Sequence, residues 1–522
     1  MKQEQPILES QIDVVDSPSV SANAQYADTG EKAYDHVLKY TGLFGGVQGI
    51  TVFLSIIRNK VVAVLLGSVG LALIDIYNHA MGLLGNATQF GIPLTAVRHL
   101  SELYEQGDQQ KLRHYVCVIR SWSLLTALLG FVVCLIASPL VSQLSFHNYD
   151  YIIQFICLSP LVAMLAISGV EIAILKATRH LKQLALSTLI GAVSTLVVTI
   201  PFYFFFGLQG IIPALVISTL FSMLINLNFS LRLFRWQSRP FSRSTLSQGL
   251  DMIRLGVSYI MAGIVSAAAE MLVRSYIVNQ GSLAEEGLYC AGFILTVSYA
   301  RFVFVSMDAD YFPRLSAICH DGVKMNLTIN RQLEVCVLLI APFLMLFVLF
   351  LPFIVHLLFS EKFVAAVPMT ICAVFYMFFK AITTPIAYVP LARADSLLYF
   401  MMELIYYVVF SILVMIGYRF WGLLGSGVAL SLSNLFDLLL IFLTYHYRYD
   451  FRFSLRALML IGLQGALLLI TVLVALQGDE YLKYGIGLVA ALISIAVSLR
   501  ILYRETSLLT VVGRYFKKTR RP

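Results

Sequence analysis

Apolar runs of about twenty residues recur from residue 41 to residue 503. A helix of that length rises about 30 Å, the thickness of a bilayer's hydrocarbon core. Only 13% of the 522 residues are charged, against the roughly 25% of a soluble domain, and 59% are hydrophobic. Mean hydropathy is +0.82. There is too little charge to coat a soluble surface, so a soluble enzyme, a secreted disulfide scaffold and a disordered chain are excluded. The fold class expected is an all-α polytopic membrane protein.

The runs read as about fourteen spans: 41–65, 71–96, 114–138, 151–175, 183–205, 211–232, 255–278, 287–311, 333–357, 364–389, 397–417, 421–444, 456–476 and 483–503. They suggest a polar, acidic and disordered cytoplasmic tail over 1–40, a six-helix lobe over 41–232, and a cytoplasmic linker over 233–254. A second six-helix lobe follows over 255–444, then two further helices over 445–503 and a basic tail over 504–522. Lys60 and Arg274 each stand seven residues before a glycine at the end of the first span of a lobe, a weak internal repeat of the kind transporters are built from. Lys and Arg crowd alternate loops and the C-terminal tail, while the other loops hold only Lys362, Arg419 and Lys483. The positive-inside rule then puts both termini in the cytoplasm. The net charge of +8 is accounted for by topology and implies no nucleic acid. Eight prolines, Pro93, Pro160, Pro201, Pro213, Pro342, Pro352, Pro368 and Pro385, are expected to interrupt spans.

No Gly-Lys dipeptide exists, so a phosphate-binding P-loop is excluded, and no loop is long enough for a soluble catalytic domain. The seven cysteines form no C-x-x-C pair and the nine histidines no ligand spacing, so neither a disulfide, a metal nor a cofactor is expected. The informative residues are charges inside spans, each costing about 2.5–3.5 kcal/mol to insert. Glu270 and Arg274, four apart on one helix, are placed to neutralise each other, and Lys380 and Glu403 to form an ion pair. Lys60 lies roughly 200° around the helix from Arg58 and is near enough to a surface to snorkel. Arg58 and Arg301 sit near the middle of their spans, one in each half, with no acidic residue three or four positions away. They are expected to line a hydrated cavity and bind phosphate oxygens, with Lys60 and Arg274 as further cavity cations. Pairing with Glu171, Glu403 or Asp437 on other helices is the structural alternative. Glu403 and Asp437, with Lys380 and Glu270, form the candidate ion-coupling or ion-pair set.

Ser55-Ile-Ile-Arg58-Asn-Lys60-Val-Val-Ala-Val-Leu-Leu-Gly67-Ser-Val-Gly70 resembles the start of bacterial O-antigen and polysaccharide flippases of the multidrug/oligosaccharidyl-lipid/polysaccharide exporter superfamily. Gly287-Leu-Tyr-Cys-Ala-Gly292 and Asp310-Tyr-Phe-Pro-Arg-Leu-Ser316 are similar to that family's eighth-helix region. Tyr388-Val-Pro-Leu-Ala-Arg393-Ala-Asp395, followed by Glu403, resembles its tenth-to-eleventh helix connection. The resemblance implies two pseudo-symmetric lobes that alternate access, no enzymatic activity, and a bacterial cytoplasmic-membrane location. It implies a polyprenyl-diphosphate-linked glycan as substrate, membrane lipid as surroundings, and polysaccharide polymerase or ligase machinery as partner. Arg58 matches a first-helix cavity arginine of related lipid II flippases, and Arg301 lies in the helix that supplies a second. Fourteen spans also resemble the lipid II flippases, whose last two helices help form a groove for the lipid tail.

Three other functions compete, the first being a lipid II flippase of the same superfamily. A cation-coupled multidrug exporter of the same superfamily needs an acidic cavity, which the apparent excess of mid-membrane Arg and Lys disfavours. A membrane-embedded glycan polymerase or ligase is expected to carry a long outer loop, and every outer loop here is short.

Overall fold

The computed structural model describes residues 46–236, 243–298, 311, 312, 314–316, 318–393, 395–477 and 480–505. Among them no strand occurs, and the protein is an all-α polytopic membrane fold. In hydrocarbon every backbone N–H and C=O must be satisfied within its own segment, which leaves helix as the available conformation for such apolar runs. The helices are α1 (Gly46–Leu65), α2 (Gly67–Gln89), α3 (Ile92–Glu105), α4 (Gln109–Phe146), α5 (Ile152–Ala177), α6 (Leu181–Phe206) and α7 (Ile211–Leu231). They continue as α8 (Arg243–Gln280), α9 (Leu283–Phe293), α10 (Gly322–Leu358), α11 (Val367–Ala387), α12 (Ser396–Tyr449), α13 (Leu455–Leu476) and α14 (Glu480–Glu505). Among the described residues ten helical stretches are long and apolar enough to cross a membrane. One joins α6 to α7 through the 3-10 turn Gly207–Gly210; α12 breaks at Trp421 and Gly422, where Gly422 takes φ +58°.

The structure corrects several sequence-based boundaries. The second span ends at Gln89 rather than residue 96, because Phe90 and Gly91 adopt left-handed φ values of 48° and 64°. Beyond them α3 is a separate short helix whose apolar stripe, Ile92, Ala96 and Leu100, packs on Leu112, Val116 and Ile119 of α4 and Val170 and Ile174 of α5. The expected linker 233–254 is helical from Arg243 onward. Of the eight prolines, Pro93 and Pro368 sit in the first turns of α3 and α11, where the missing N–H costs no helical bond. Pro213 is the third residue of α7. The two tails, 1–45 and 506–522, and Arg301 lie outside the described residues.

Connections this short make successive long helices antiparallel. The bundle therefore has a near end, where α1 begins, and a far end, where α1 meets α2 and α6 meets α7. Phe204, Phe205, Phe206, Phe420 and Trp421 are all exposed at the far end, an aromatic belt of the kind that marks a membrane–water boundary. At the near end, Asp108 caps α4 by accepting from the Lys111 N–H (3.0 Å) and pairs with Lys111 Nζ (3.1 Å). These contacts hold the Asp108 carboxyl below the usual carboxylate range, the backbone hydrogen bond first among them. Asp321 caps α10 in the same way through Lys324 (3.1 and 3.0 Å). The same capping arrangement thus recurs at the near-end starts of α4 and α10.

Helix α2 packs on α4 and α5 and also on α8 and α9, and α4 packs on α8 beside it. At the far end the approach is closest where Gly287 of α9 meets Ser68, since a Cβ there would lie 2.0 Å from the Ser68 carbonyl oxygen. The C-terminal pair α13 and α14 packs on α10. Buried Gln464 joins the pair, donating to Ser498 Oγ (3.2 Å) and accepting from Ser494 Oγ (2.5 Å). In lipid such polar contacts substitute for a hydrophobic drive to associate.

Candidate functional site

Arg58 is half-buried on α1 and opens into a cavity of about 200 Å³. Around it stand Asn59, Asn78, Thr195, Thr199, Tyr203 and Ser222, from α1, α2, α6 and α7. Among the described residues Arg58 has no ion-pair partner. Of the acidic groups proposed as structural alternatives, Glu171 holds Arg120, Asp437 lies 3.7 Å from Lys380, and Glu403 lines a different cavity. A guanidinium facing hydroxyls and amides within the membrane is arranged to receive an anion, since it presents five donors and those side chains supply further polar contacts without a competing negative charge.

Two of the expected cavity cations are committed to the protein itself. Lys60 Nζ donates to the His356 carbonyl (2.8 Å), joining α1 to the last turn of α10 at the far end. Arg274 is 2% exposed and bonded to Asp75 of α2; it also donates to the Glu270 carbonyl (3.0 Å) and lies 3.7 Å from the Glu270 carboxylate. Glu286 stands 4.0 Å from Nε, the nitrogen also bonded to Asp75, and the Phe293 ring is 5.2 Å from the guanidinium. The mutual neutralisation of Glu270 and Arg274 is therefore one part of a larger cluster, which His79 extends by contacting Asp75 (3.5 Å) and Glu270 (3.3 Å).

A larger cavity, about 690 Å³, lies on the other side of α2 between α8, α11 and α12. Lys380 lines it with Glu403, and its ammonium sits 5.5 Å from the Tyr406 ring. Lys380 reaches Asp437, which the sequence reading had not paired with it. The lining includes Asp75, Glu270 and Glu403 against Arg274 and Lys380. The excess of basic over acidic groups inferred from the spans does not hold for this cavity, because Arg58 and Lys60, which made up that excess, lie elsewhere and Asp75 adds a further carboxylate.

Four functional or structural charges escaped the sequence reading: Asp75, His79, Arg120 and Glu286. The first three lie inside apolar runs and were visible as intramembrane charges; Asp75 and His79 even share a helix face at i, i+4. Glu286 falls just before a span, and nothing local announces its burial. Among the described residues no group of three or more His, Cys, Asp or Glu side chains is placed to hold a metal ion.

Residues 102–368, just over half of the chain, match the model of a family described as polysaccharide biosynthesis protein. No curated protein matches. Among solved structures, the lipid II flippase MurJ in an inward closed conformation superposes with a TM-score of 0.65 at 16% identity, covering 88% of this chain and 99% of that one. An inward-facing multidrug resistance MATE family transporter of the MOP superfamily gives 0.60 at 15% identity, over 79% of this chain and 94% of its own. A MOP superfamily transporter from Pyrococcus furiosus, described as having a binding pocket of reverse polarity, gives 0.57 at 14%, over 79% and 96%. At such identities the likeness is one of fold. The chain belongs to the polysaccharide biosynthesis protein family and has the fold shared by MurJ and the MATE transporters.

Proposed function

We propose that the protein is a flippase that moves a polyprenyl-diphosphate-linked oligosaccharide, an O-antigen or other surface polysaccharide unit, across the bacterial cytoplasmic membrane. The observation that carries this reading is Arg58, a guanidinium without an ion-pair partner among the described residues, in a polar cavity inside the membrane. The family's role in polysaccharide biosynthesis and the fold shared with a lipid II flippase support it. The Arg58 cavity suits the diphosphate and is too small for a whole oligosaccharide. Arg301 is proposed as a second phosphate ligand from the other half. Two lobes rocking about α2 then expose the headgroup to each side in turn, with no bond made or broken. Polymerase or ligase machinery receives the unit on the far side.

Binding tests this directly. Full-length protein in nanodiscs is expected to bind a fluorescent polyprenyl-diphosphate trisaccharide tightly and the monophosphate analogue about tenfold or more weakly, the loss of one charge-assisted contact. Equal binding of both, or binding of neither, removes the diphosphate from the proposal. A second reading, cation-coupled drug export, is favoured by the carboxylates of the 690 Å³ cavity. It predicts ethidium efflux from proteoliposomes, with the glycan left where it was.

Orientation follows from the Lys and Arg asymmetry: both termini are proposed to be cytoplasmic and the far end outside. Reporter fusions after residue 282 and after residue 522 are expected to report outside and inside respectively. An inside signal at 282 overturns the orientation.

A further inference from the structure

Glu286, in the first turn of α9, is 0% exposed, and neither of its carboxylate oxygens has a hydrogen-bond partner among the described residues. The Tyr289 hydroxyl one turn on is likewise buried without a partner. Glu286 faces the Arg274 guanidinium, which is already bonded to Asp75, lies within 4.0 Å of Glu270 and Glu286, and sits 6.0 Å from the Tyr289 ring. One guanidinium thus stands among three carboxylates. A buried ionised carboxylate with no hydrogen bond and a shared counter-charge is strongly disfavoured, whereas the neutral acid needs no counter-charge and has a proton to donate.

We propose that Glu286 is an exchangeable proton site at the contact between α2 and α9, occupied when the far end of the bundle is closed and emptied when it opens. This goes beyond the substrate assignment and does not depend on it. The cluster exists only while the halves touch: Asp75 and His79 come from α2, Glu270 and Arg274 from α8, Glu286 from α9. The next residue, Gly287, makes the backbone contact with Ser68. Cys290 of α9 adjoins the cluster. From the other elements packed on α9, α12 presents Tyr418, whose hydroxyl is bonded to Glu285, and α11 presents uncharged Met369 and Thr370. Glu361 and Lys362, on the neighbouring far-end turn, are exposed.

When α2 moves away it carries Asp75 from Arg274. Water then reaches Glu286, its proton passes to the aqueous phase, and the carboxylate takes Asp75's place on the guanidinium. Closing reverses the exchange. The closed form holds one proton more than the open form, so raising the pH favours opening. For one linked proton the closed-to-open ratio falls by up to about tenfold per pH unit.

The test uses full-length protein in nanodiscs without substrate. Spin labels are carried on non-canonical side chains at two exposed far-end positions, Leu208 and Lys362, leaving the native cysteines intact. Between pH 5 and pH 9 the wild-type distance distribution is expected to shift from a short to a long population. Glu286→Gln should stay short at every pH, while Glu286→Asp keeps a response. Asp75→Asn, which frees Arg274 for Glu286, should also flatten it, and serves where Glu286→Gln does not fold. A wild type indifferent to pH overturns the proposal. So does a wild-type response in either Glu286→Gln or Asp75→Asn, or a Glu286→Gln protein that is open at every pH, which marks Glu286 as a structural strut. A response kept in Glu286→Gln but lost in His79→Gln moves the proton to His79. Because no glycan is present, failure here leaves the flippase reading to be judged by its own binding experiment.

Discussion

Glu171→Ala is expected to destabilise the folded protein by about 3–5 kcal/mol, the cost of leaving a buried charge without its partner. Arg120 and Glu171 are both 0% exposed, and the guanidinium grips the carboxylate through Nε and Nη2, each at 2.9 Å. Its remaining N–H groups are also taken. Nη2 donates to Ser230 Oγ (3.0 Å), and Nη1 donates to the carbonyls of Phe234 (3.1 Å) and Arg235 (3.0 Å). All five donors of the fork are satisfied, which ties α4 to α5, to α7 and to the segment leaving α7. The Trp236 ring lies 5.2 Å from the guanidinium carbon. Removing the carboxylate leaves a cation that the membrane cannot solvate, so the unfolding midpoint and the amount of folded protein should both fall. Replacing both partners, as in Arg120→Leu with Glu171→Leu, should recover much of the loss, because two desolvation costs vanish with the pair. If Glu171→Ala melts like the wild type, the network is not a structural keystone. Function is expected to follow stability here, with no separate effect on substrate binding.

Arg58→Ala is expected to behave in the opposite way: normal abundance and melting, with flipping reduced about ten- to a hundredfold. Arg58 has no ion-pair partner among the described residues, so its removal breaks no pair and opens no buried charge. What it removes is a charge-assisted contact to a phosphate oxygen, worth about 1.5–3 kcal/mol, and about 1.4 kcal/mol corresponds to each factor of ten. Arg58→Lys keeps the charge and loses the planar fork, so it should restore activity only in part. Flipping of a fluorescent lipid-linked glycan in proteoliposomes, normalised to membrane abundance, distinguishes the cases. Normal flipping by Arg58→Ala at normal abundance would falsify the phosphate-binding role.

The membrane fold was legible in the chain because each span is a local decision. About twenty apolar residues must bury their own backbone polar groups, and a helix does this without reference to any neighbour. The solitary character of Arg58 was legible for a related reason: no carboxylate lies within a helical turn of it, and a charge at that depth needs a reason to be there. Helix ends were less legible. The break after Gln89 depends on the left-handed Phe90 and Gly91, and the helical start at Arg243 on residues that look like a polar linker.

Partnerships between helices were not in the sequence at all. Arg274 has Glu270 four residues away, yet its bonded carboxylate is Asp75, 199 positions distant in the chain. Lys380 has Asp437 within reach, Glu171 has Arg120, and Lys60 spends its charge on a carbonyl of α10. Insertion energy depends on the residue and its depth and is written into each span, whereas the choice of counter-ion depends on which faces the packed helices turn to one another. That choice is made by side-chain packing across the bundle, which is why the chain alone marked which charges fall inside apolar runs, and the assembled helices alone buried Glu286 and determined what each charge was buried against.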